Sequence, residues 1–370
     1  MAKADDGVLL VACMKDEGPF LLEWIAYYQS IGVAKFVIVS NDCTDGTDHM
    51  LDRLDELGVI RHLPNPTMIE TFGKTIQNVA LKYAALQREF RDAGWITILD
   101  ADEFLNIRVG DNDLPSLFDH CGDFDAISFN QVVFGAAGIE TFADTPVARQ
   151  FDWRFRFEGD PRAHPMMFGL KTLARNDGDL FSRFSNHLPR LKAKAKARVR
   201  WRDGSGRAMH PGFVEDQPRS YPVHMSRVDT DDGTRKRRRM FDVEPGTHAV
   251  GYVNHYSLRS LESFVLQSLR GDAVSAEVRR DFGYWRSYDR NQIHDDTIHM
   301  QSRRSERWRS DLMADTRLAE LHEAAVAHHR KVFAQMAKQP AIQKLIEECR
   351  AGMTAPGAEP DAKAPQWKSG

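Results

Sequence analysis

The sequence predicts an α/β fold: a mixed, mostly parallel sheet covered by helices on both faces, followed by a helical C-terminal region. Three observations carry this. Short apolar runs alternate with amphipathic segments through the first hundred residues, each run ends in a cluster of polar side chains, and helical periodicity returns after residue 260.

In chain order, Gly7 to Cys13 reads as a buried strand and Pro19 to Ser30 as a helix with proline in its first turn, where the missing N–H costs nothing. Phe36 to Ser40 is a second strand. Asp45 and Thr47 supply capping oxygens ahead of a helix from Met50 to Leu57, closed by Gly58. Val59 to Leu63 gives a third strand, Lys74 to Arg91 a long helix and Trp95 to Leu99 a fourth strand. Beyond Asp102, Ala126 to Phe129, Phe151 to Phe157 and Met167 to Ala174 read as further strands. Pro189 to about Gly246 is basic and weakly periodic, the pattern of long loops or inserted hairpins. Ser260 to Leu269 is a helix with Leu261, Phe264, Val265 and Leu269 on one face; Asp315 to Lys338 and Ala341 to Arg350 are two more. Residues 351–370 have the composition of a disordered tail.

The chain has 370 residues, 42% of them hydrophobic, enough to bury one large core or two smaller ones. Its 50 basic and 53 acidic side chains leave a net charge of -3, so no global field drives it onto nucleic acid. None of Cys13, Cys43, Cys121 and Cys349 has the spacing of a zinc site or redox pair, which fits a reducing cytoplasm. The apolar run Val8 to Cys13 is too short for a signal-peptide core, and no stretch approaches the ~20 apolar residues that cross a bilayer. The expectation is a soluble cytoplasmic protein. The basic runs Leu191 to Arg200 and Arg235 to Arg239 read as solvated loops, or as contacts to an acidic glycan or to anionic headgroups at the inner membrane face.

The most informative segment is Trp95-Ile-Thr-Ile-Leu-Asp100-Ala-Asp102-Glu103. A buried strand delivers its C-terminal end to the crevice where open parallel sheets bind ligands, and this end carries three carboxylates among four residues. Such crowding demands a cation, and Asp100 and Asp102 suit Mg²⁺ or Mn²⁺ completed by substrate phosphate. The alternative is a solvated turn in which Asp102 or Glu103 caps a following helix. Ser40-Asn41-Asp42-Cys43-Thr44-Asp45-Gly46 follows the second strand, where Asn41 and Asp42 can meet a ribose or base edge while Asp45 caps. Lys15, Asp16 and Glu17 follow the first; Lys15 suits phosphate, and either acid suits a nucleoside or the next helix N-terminus. The three clusters converge on one crevice.

Together, LLVACMKDEGPFLLEWIAYYQSIGVAKFVIVSNDCTDGT and WITILDADEFL resemble the family 2 glycosyltransferases, nearest to a bacterial branch that also resembles family 92. A later segment, Asn254-His255-Tyr256-Ser257 through Arg270-Gly271-Asp272, resembles that branch too. The resemblance implies a GT-A fold, a nucleoside-diphosphate sugar donor, a divalent metal on Asp100 and Asp102, and inversion at the anomeric carbon. It implies a donor half over about 7–110, an acceptor half over 111–255 with basic loops at 189–246, and a helical extension over 256–350. Asp42 falls on the family's nucleoside-binding acid, and His255 on a histidine that reaches the metal or diphosphate. Arg270 reaches either the diphosphate or the C-terminal dipole of its own helix.

The family's Glu-Asp base motif has no clean counterpart, leaving Glu140 as first candidate for the general base and Asp144 as second. The expected acceptor is a glycan or lipid-linked sugar, in cell-surface polysaccharide synthesis. Rival readings are a non-catalytic nucleotide-sugar-binding protein, fed by the missing base motif, and a metal-dependent nucleotidyltransferase. The absence of a phosphate-binding GxxxxGK[ST] loop weakens NTPase versions of the last.

Overall fold

The computed structural model describes residues 7–65, 76–156, 169–209, 211–216, 225–229, 235–239, 248–270 and 280–358. Nine strands make one sheet: β1 (Val8–Met14), β2 (Lys35–Ser40), β3 (Arg61–Pro64), β4 (Trp95–Ile98), β5 (Glu103–Ile107), β6 (Ala126–Val133), β7 (Leu170–Arg175), β8 (Trp201–Arg202) and β9 (Gly251–His255). Their order is β3-β2-β1-β4-β7-β6-β9-β5, with β8 also on β6. The strands β3, β2, β1 and β4 pair in parallel, β7 runs antiparallel between β4 and β6, and β5 closes the far edge antiparallel to β9. This is the mixed, mostly parallel sheet flanked by helices that the sequence predicts.

The helices follow as α1 (Gly18–Ser30), α2 (Thr47–Glu56), α3 (Ile76–Ala84), α4 (Leu114–Cys121), α5 (Leu261–Arg270), α6 (Phe282–Tyr288), α7 (His299–Met313), α8 (Thr316–Met336) and α9 (Pro340–Ala351). Strand β1 shows why both faces are covered. Val8, Leu10, Ala12 and Met14 enter the large core with α1 and the C-terminal helices, whereas Leu9, Val11 and Cys13 enter a second core under α3. Side chains alternate across a strand, so a fully apolar strand needs cover on both sides. Residues of α7, α8 and α9 share the large core with β1 and α1.

Several expected elements differ. The helix expected over Lys74 to Arg91 is α3, a break at 85–87 and a single turn at Arg88–Arg91; Lys74 and Thr75 lie outside the described residues. The strand expected at Phe151 to Phe157 shrinks to Trp153–Arg154, paired with Ile293–His294. Glu103 begins a strand, β5, rather than capping a helix. The basic region contains a hairpin of Met225–Asp229 against Arg235–Arg239, whose side chains lie outside the description. The preceding run is anchored by buried Leu191, Ala195 and Trp201. Past α9, Asp289 accepts from the Thr354 amide and the Gly357 amide donates to Asn291 O, so the chain is tied down beyond the expected start of the tail. Residues 359–370 lie outside the description.

Candidate active site

The acidic turn sits between β4 and β5. The Leu99 amide donates to Val11 O, continuing the sheet to the edge of the crevice, and Asp100, Ala101 and Asp102 then reverse direction into β5. The β5/β9 register sets His255 opposite Glu103, and the Tyr256 amide donates to Asp102 O at 2.8 Å. That pairing brings His255 Nε2 to 3.7 Å from Asp102 Oδ2. Residues 153 positions apart in sequence thus become neighbours through one strand ladder.

Helix α1 clamps the same turn from below. Trp24 Nε1 donates to Asp100 O and Glu103 O, both at 3.1 Å, and Tyr28 Oη donates to Glu103 O and accepts from the Leu105 amide. Each aromatic spends its polar atom on the turn backbone, which fixes where the carboxylates point.

The three carboxylates do not behave alike. Burial alone would raise the Asp102 carboxyl, but His255, Arg280 and Arg259 outweigh it and hold it well below the usual range. Burial opposes protonation of His255, yet Asp102 and Glu103 raise its pKa overall. Glu103 is buried and accepts from the Asp100 amide at 2.8 Å and from Gln131 Nε2. Two of the three carboxylates meet a cation within the chain, Lys171 Nζ, 2.8 Å from Asp100 Oδ2 and 2.9 Å from Glu103 Oε2. Burial opposes the ammonium, but the two carboxylates raise its pKa above normal.

Among the described residues no three His, Cys, Asp or Glu side chains converge closely enough to hold a metal ion. The residues that would hold a metal are Asp102 and His255: an ionised carboxylate facing an imidazole offers two ligands. A Mg²⁺ or Mn²⁺ ion that takes its remaining ligands from water and phosphate needs no more. Asp100, expected as the second carboxylate ligand, is turned to Lys171 and to Gln77 Nε2 at 3.1 Å.

Of the other predicted residues, Lys15 and Asp42 meet as an ion pair of 3.1 Å just past the ends of β1 and β2, with the Asp42 side chain 80% exposed. Asp16 and Asp42 both have positive φ, 52° and 51°, a conformation costly for most residues and tolerated by Asp. Asn41 is buried and accepts from Asn65 Nδ2. Asp45 accepts from the amides of Gly18 and Thr47, the first residues of α1 and α2, at 2.9 Å, while the N-cap position of α2 is held by Gly46.

Glu17 and Arg270 come together, but with each other. Arg270 donates to Glu17 Oε1 and to the carbonyls of Lys15 and Asp16, and Arg259 donates to Glu17 Oε2 at 2.8 Å. Burial would raise Glu17, but the two guanidiniums lower it. These three residues brace the β1 loop against α5.

The base candidates are also engaged elsewhere. Glu140 accepts from Arg350 of α9 through both oxygens, at 2.8 to 3.0 Å, and Arg350 holds its carboxyl below the usual range. Asp144 takes His322 Nε2 at 3.2 Å and Arg309 at 3.3 Å, and its carboxyl is likewise lowered by His322. A chelated, acidified carboxylate has a low proton affinity, the opposite of what a general base needs.

Three residues near the turn escape a reading by motif: Lys171, Arg259 and Arg280. Lys171 leaves one signal, a lone lysine inside Leu170-Lys-Thr-Leu-Ala, where a strand buried on both faces has no place for an unpaired charge. Arg280 donates to Ser257 O at 3.1 Å and to Gln267 Oε1, beyond any local pattern. No described helix is long and apolar enough to cross a membrane.

The sequence model of glycosyltransferase family 92 matches residues 10–156. A glycosyltransferase family 92 protein of Oryza sativa subsp. japonica is 32% identical over 95 residues, 25% of this chain and 15% of that protein. One of Ricinus communis is 27% identical over 101 residues, 27% of this chain and 17% of that protein. The matched segments thus span less than a fifth of either relative. Among solved structures, Staphylococcus aureus TarS 1-349 superposes over 90% of this chain and 91% of its own, at 10% identity and a TM-score of 0.31. Glucosyl-3-phosphoglycerate synthase from Mycobacterium tuberculosis, in complex with Mn²⁺, UDP and glucosyl-3-phosphoglycerate, covers 48% of this chain and 60% of its own, at 12% identity and a TM-score of 0.27. Likeness at these scores carries no functional weight. The matched segment holds most of β1, all of β2 and β4 and the acidic turn, and over that segment the chain is similar to the glycosyltransferase family 92 proteins.

Proposed function

We propose that the protein is a metal-dependent glycosyltransferase that moves a sugar from a nucleoside-diphosphate donor to a glycan or lipid-linked acceptor, with inversion, in the cytoplasm. The observation that carries it is the Asp102–His255 pair, held 3.7 Å apart just past the C-terminal end of β4, which runs parallel to β1 and β2. The family 92 match over the same strands supports the donor class. The donor side lies within about 7–110, and the acceptor side within 111–255.

Departure of a nucleoside diphosphate builds negative charge on its phosphates. A bound divalent cation supplies Lewis-acid stabilisation of that charge. Asp102 and His255 are the chain's ligands for it, with Asp102 kept ionised by its surroundings. Lys15 faces the phosphates from the β1 end, while Asn41 and Asp42 at the β2 end orient the nucleoside. Trp24 and Tyr28 keep the turn rigid, so little reorganisation accompanies charge development. The acceptor proton goes to a group other than Glu140 or Asp144 while those carboxylates keep their partners.

The test is thermal stabilisation by a panel of nucleotide sugars with Mn²⁺, followed by product analysis. One donor stabilising the wild type, and failing with Asp102→Asn, supports the reading. Release of pyrophosphate in place of a nucleoside diphosphate shows nucleotidyl transfer instead, and donor binding without sugar release shows a binding protein.

A further inference from the structure

We propose that Lys171 is a positioning residue that holds Asp100 out of the cation's coordination shell. The Asp102–His255 pair then takes a divalent cation weakly by itself and firmly only together with a nucleoside diphosphate. The inference rests on the metal-dependent reading above and assigns the regulation of that same site.

An ammonium has three protons. Those of Lys171 go to Asp100 Oδ2 at 2.8 Å, Glu103 Oε2 at 2.9 Å and Asn186 Oδ1 at 2.8 Å, and the side chain is 1% exposed. No donor remains for a substrate, so Lys171 acts only through the groups it holds. Asp100 is pinned from both sides: Oδ2 takes Lys171, and Oδ1 takes Gln77 Nε2 at 3.1 Å. Its amide, in turn, is held by Glu103 Oε2. Glu103 is locked on its other oxygen by Gln131.

The geometry comes from the sheet. Strand β7 is inserted antiparallel between β4 and β6, which sets Lys171 opposite Phe129 of β6 and beside the exit of β4. The internal cation cancels one carboxylate charge beside Asp102, so the site lacks the second carboxylate that tight binding of a free divalent ion requires. A diphosphate brings the missing oxygens and charge with it.

The experiment measures Mn²⁺ binding by electron paramagnetic resonance, with and without UDP, on the full chain. Asp100→Asn is expected to leave Mn²⁺ affinity within about threefold of wild type, whereas Asp102→Asn abolishes binding; the contrast follows from which carboxylate is free to ligate. The double variant Lys171→Met, Glu103→Gln removes the buried pair together and frees Asp100. Without UDP it is expected to bind Mn²⁺ about tenfold tighter or more, because the freed Asp100 adds a second carboxylate ligand. Lys171→Arg keeps the charge and is expected to keep the weak affinity. Equal loss of binding in Asp100→Asn and Asp102→Asn overturns the role of Lys171 while leaving the transferase reading intact. So does unchanged affinity in a folded double variant, or tightening in Lys171→Arg. Mn²⁺ binding that survives Asp102→Asn overturns this proposal and the metal-dependent reading together.

Discussion

Arg259 Nη1 donates to Glu17 Oε2 at 2.8 Å, and its guanidinium lies 3.7 Å above the Phe20 ring while Nη2 reaches Ala101 O. One buried side chain thereby links the β1 loop, the start of α1 and the acidic turn. Arg259→Met leaves Glu17 buried with Arg270 as its remaining cation and is expected to cost about 3–5 kcal/mol. Chemical denaturation measures this; a loss under about 1 kcal/mol would mean that the bridge is not buried as described.

Glu140 was the sequence's first choice for the general base, and its pairing with Arg350 makes it a strut between the β6 loop and α9. Glu140→Gln is expected to leave turnover within a few-fold of wild type. A base would lose roughly 10²- to 10⁴-fold on the same change. Because the pair is exposed, Arg350→Gln should lower stability by under about 1 kcal/mol. A thousandfold fall in turnover for Glu140→Gln alone restores the original assignment.

Tyr28 Oη both donates to Glu103 O at 2.9 Å and accepts from the Leu105 amide at 3.0 Å. Tyr28→Phe keeps the ring packed on Phe104 and strands the buried amide. The expected cost is about 1–3 kcal/mol, with faster hydrogen exchange at Leu105. Exchange at wild-type rates in the variant would show that the hydroxyl does not hold the turn.

Gly18 opens α1 beside Ala325 of α8. A Cβ there would lie 2.7 Å from Ala325 Cβ, so Gly18→Ala must push the helices apart. The expected destabilisation is about 1–3 kcal/mol. Relief by Ala325→Gly in the same chain, read from melting temperatures, would confirm the contact; additive losses would deny it.

Asp125 anchors the basic run. It accepts from the Arg200 amide at 2.9 Å and from Arg200 Nη2 at 2.7 Å. Burial raises its carboxyl, but Arg200 and Arg175 prevail and lower it. A carboxyl lowered on folding contributes stability that is present above its unfolded pKa, about 3.9, and lost as pH falls through the folded value. The stability gap between wild type and Asp125→Asn should therefore be full at neutral pH and close below about pH 4. At neutral pH the variant should also be cut faster by trypsin between 192 and 200. A gap that widens on acidification would have the wrong sign for this anchor.

By itself the sequence determined the parallel half of the sheet, because β1, β2 and β4 are continuous apolar runs whose periodicity and capping are local. It also fixed that Asp100, Asp102 and Glu103 share one strand end and need a cation, since like charges repel at any fold. That Asp100 and Glu103 meet Lys171 is decided only by tertiary structure: the lysine arrives from 71 residues beyond Asp100, through a pairing no local pattern encodes. The same holds for Glu17 and Glu140, whose arginine partners come from α5, the loop before it, and α9. Helix α7 has no apolar stripe to announce it, because its buried face carries Gln301, Ser302 and Ser305 beside a single leucine, Leu312, with Gln301 donating to Ile107 O. Polar side chains reveal their role only when a distant partner is in place, whereas apolar ones declare it in their spacing.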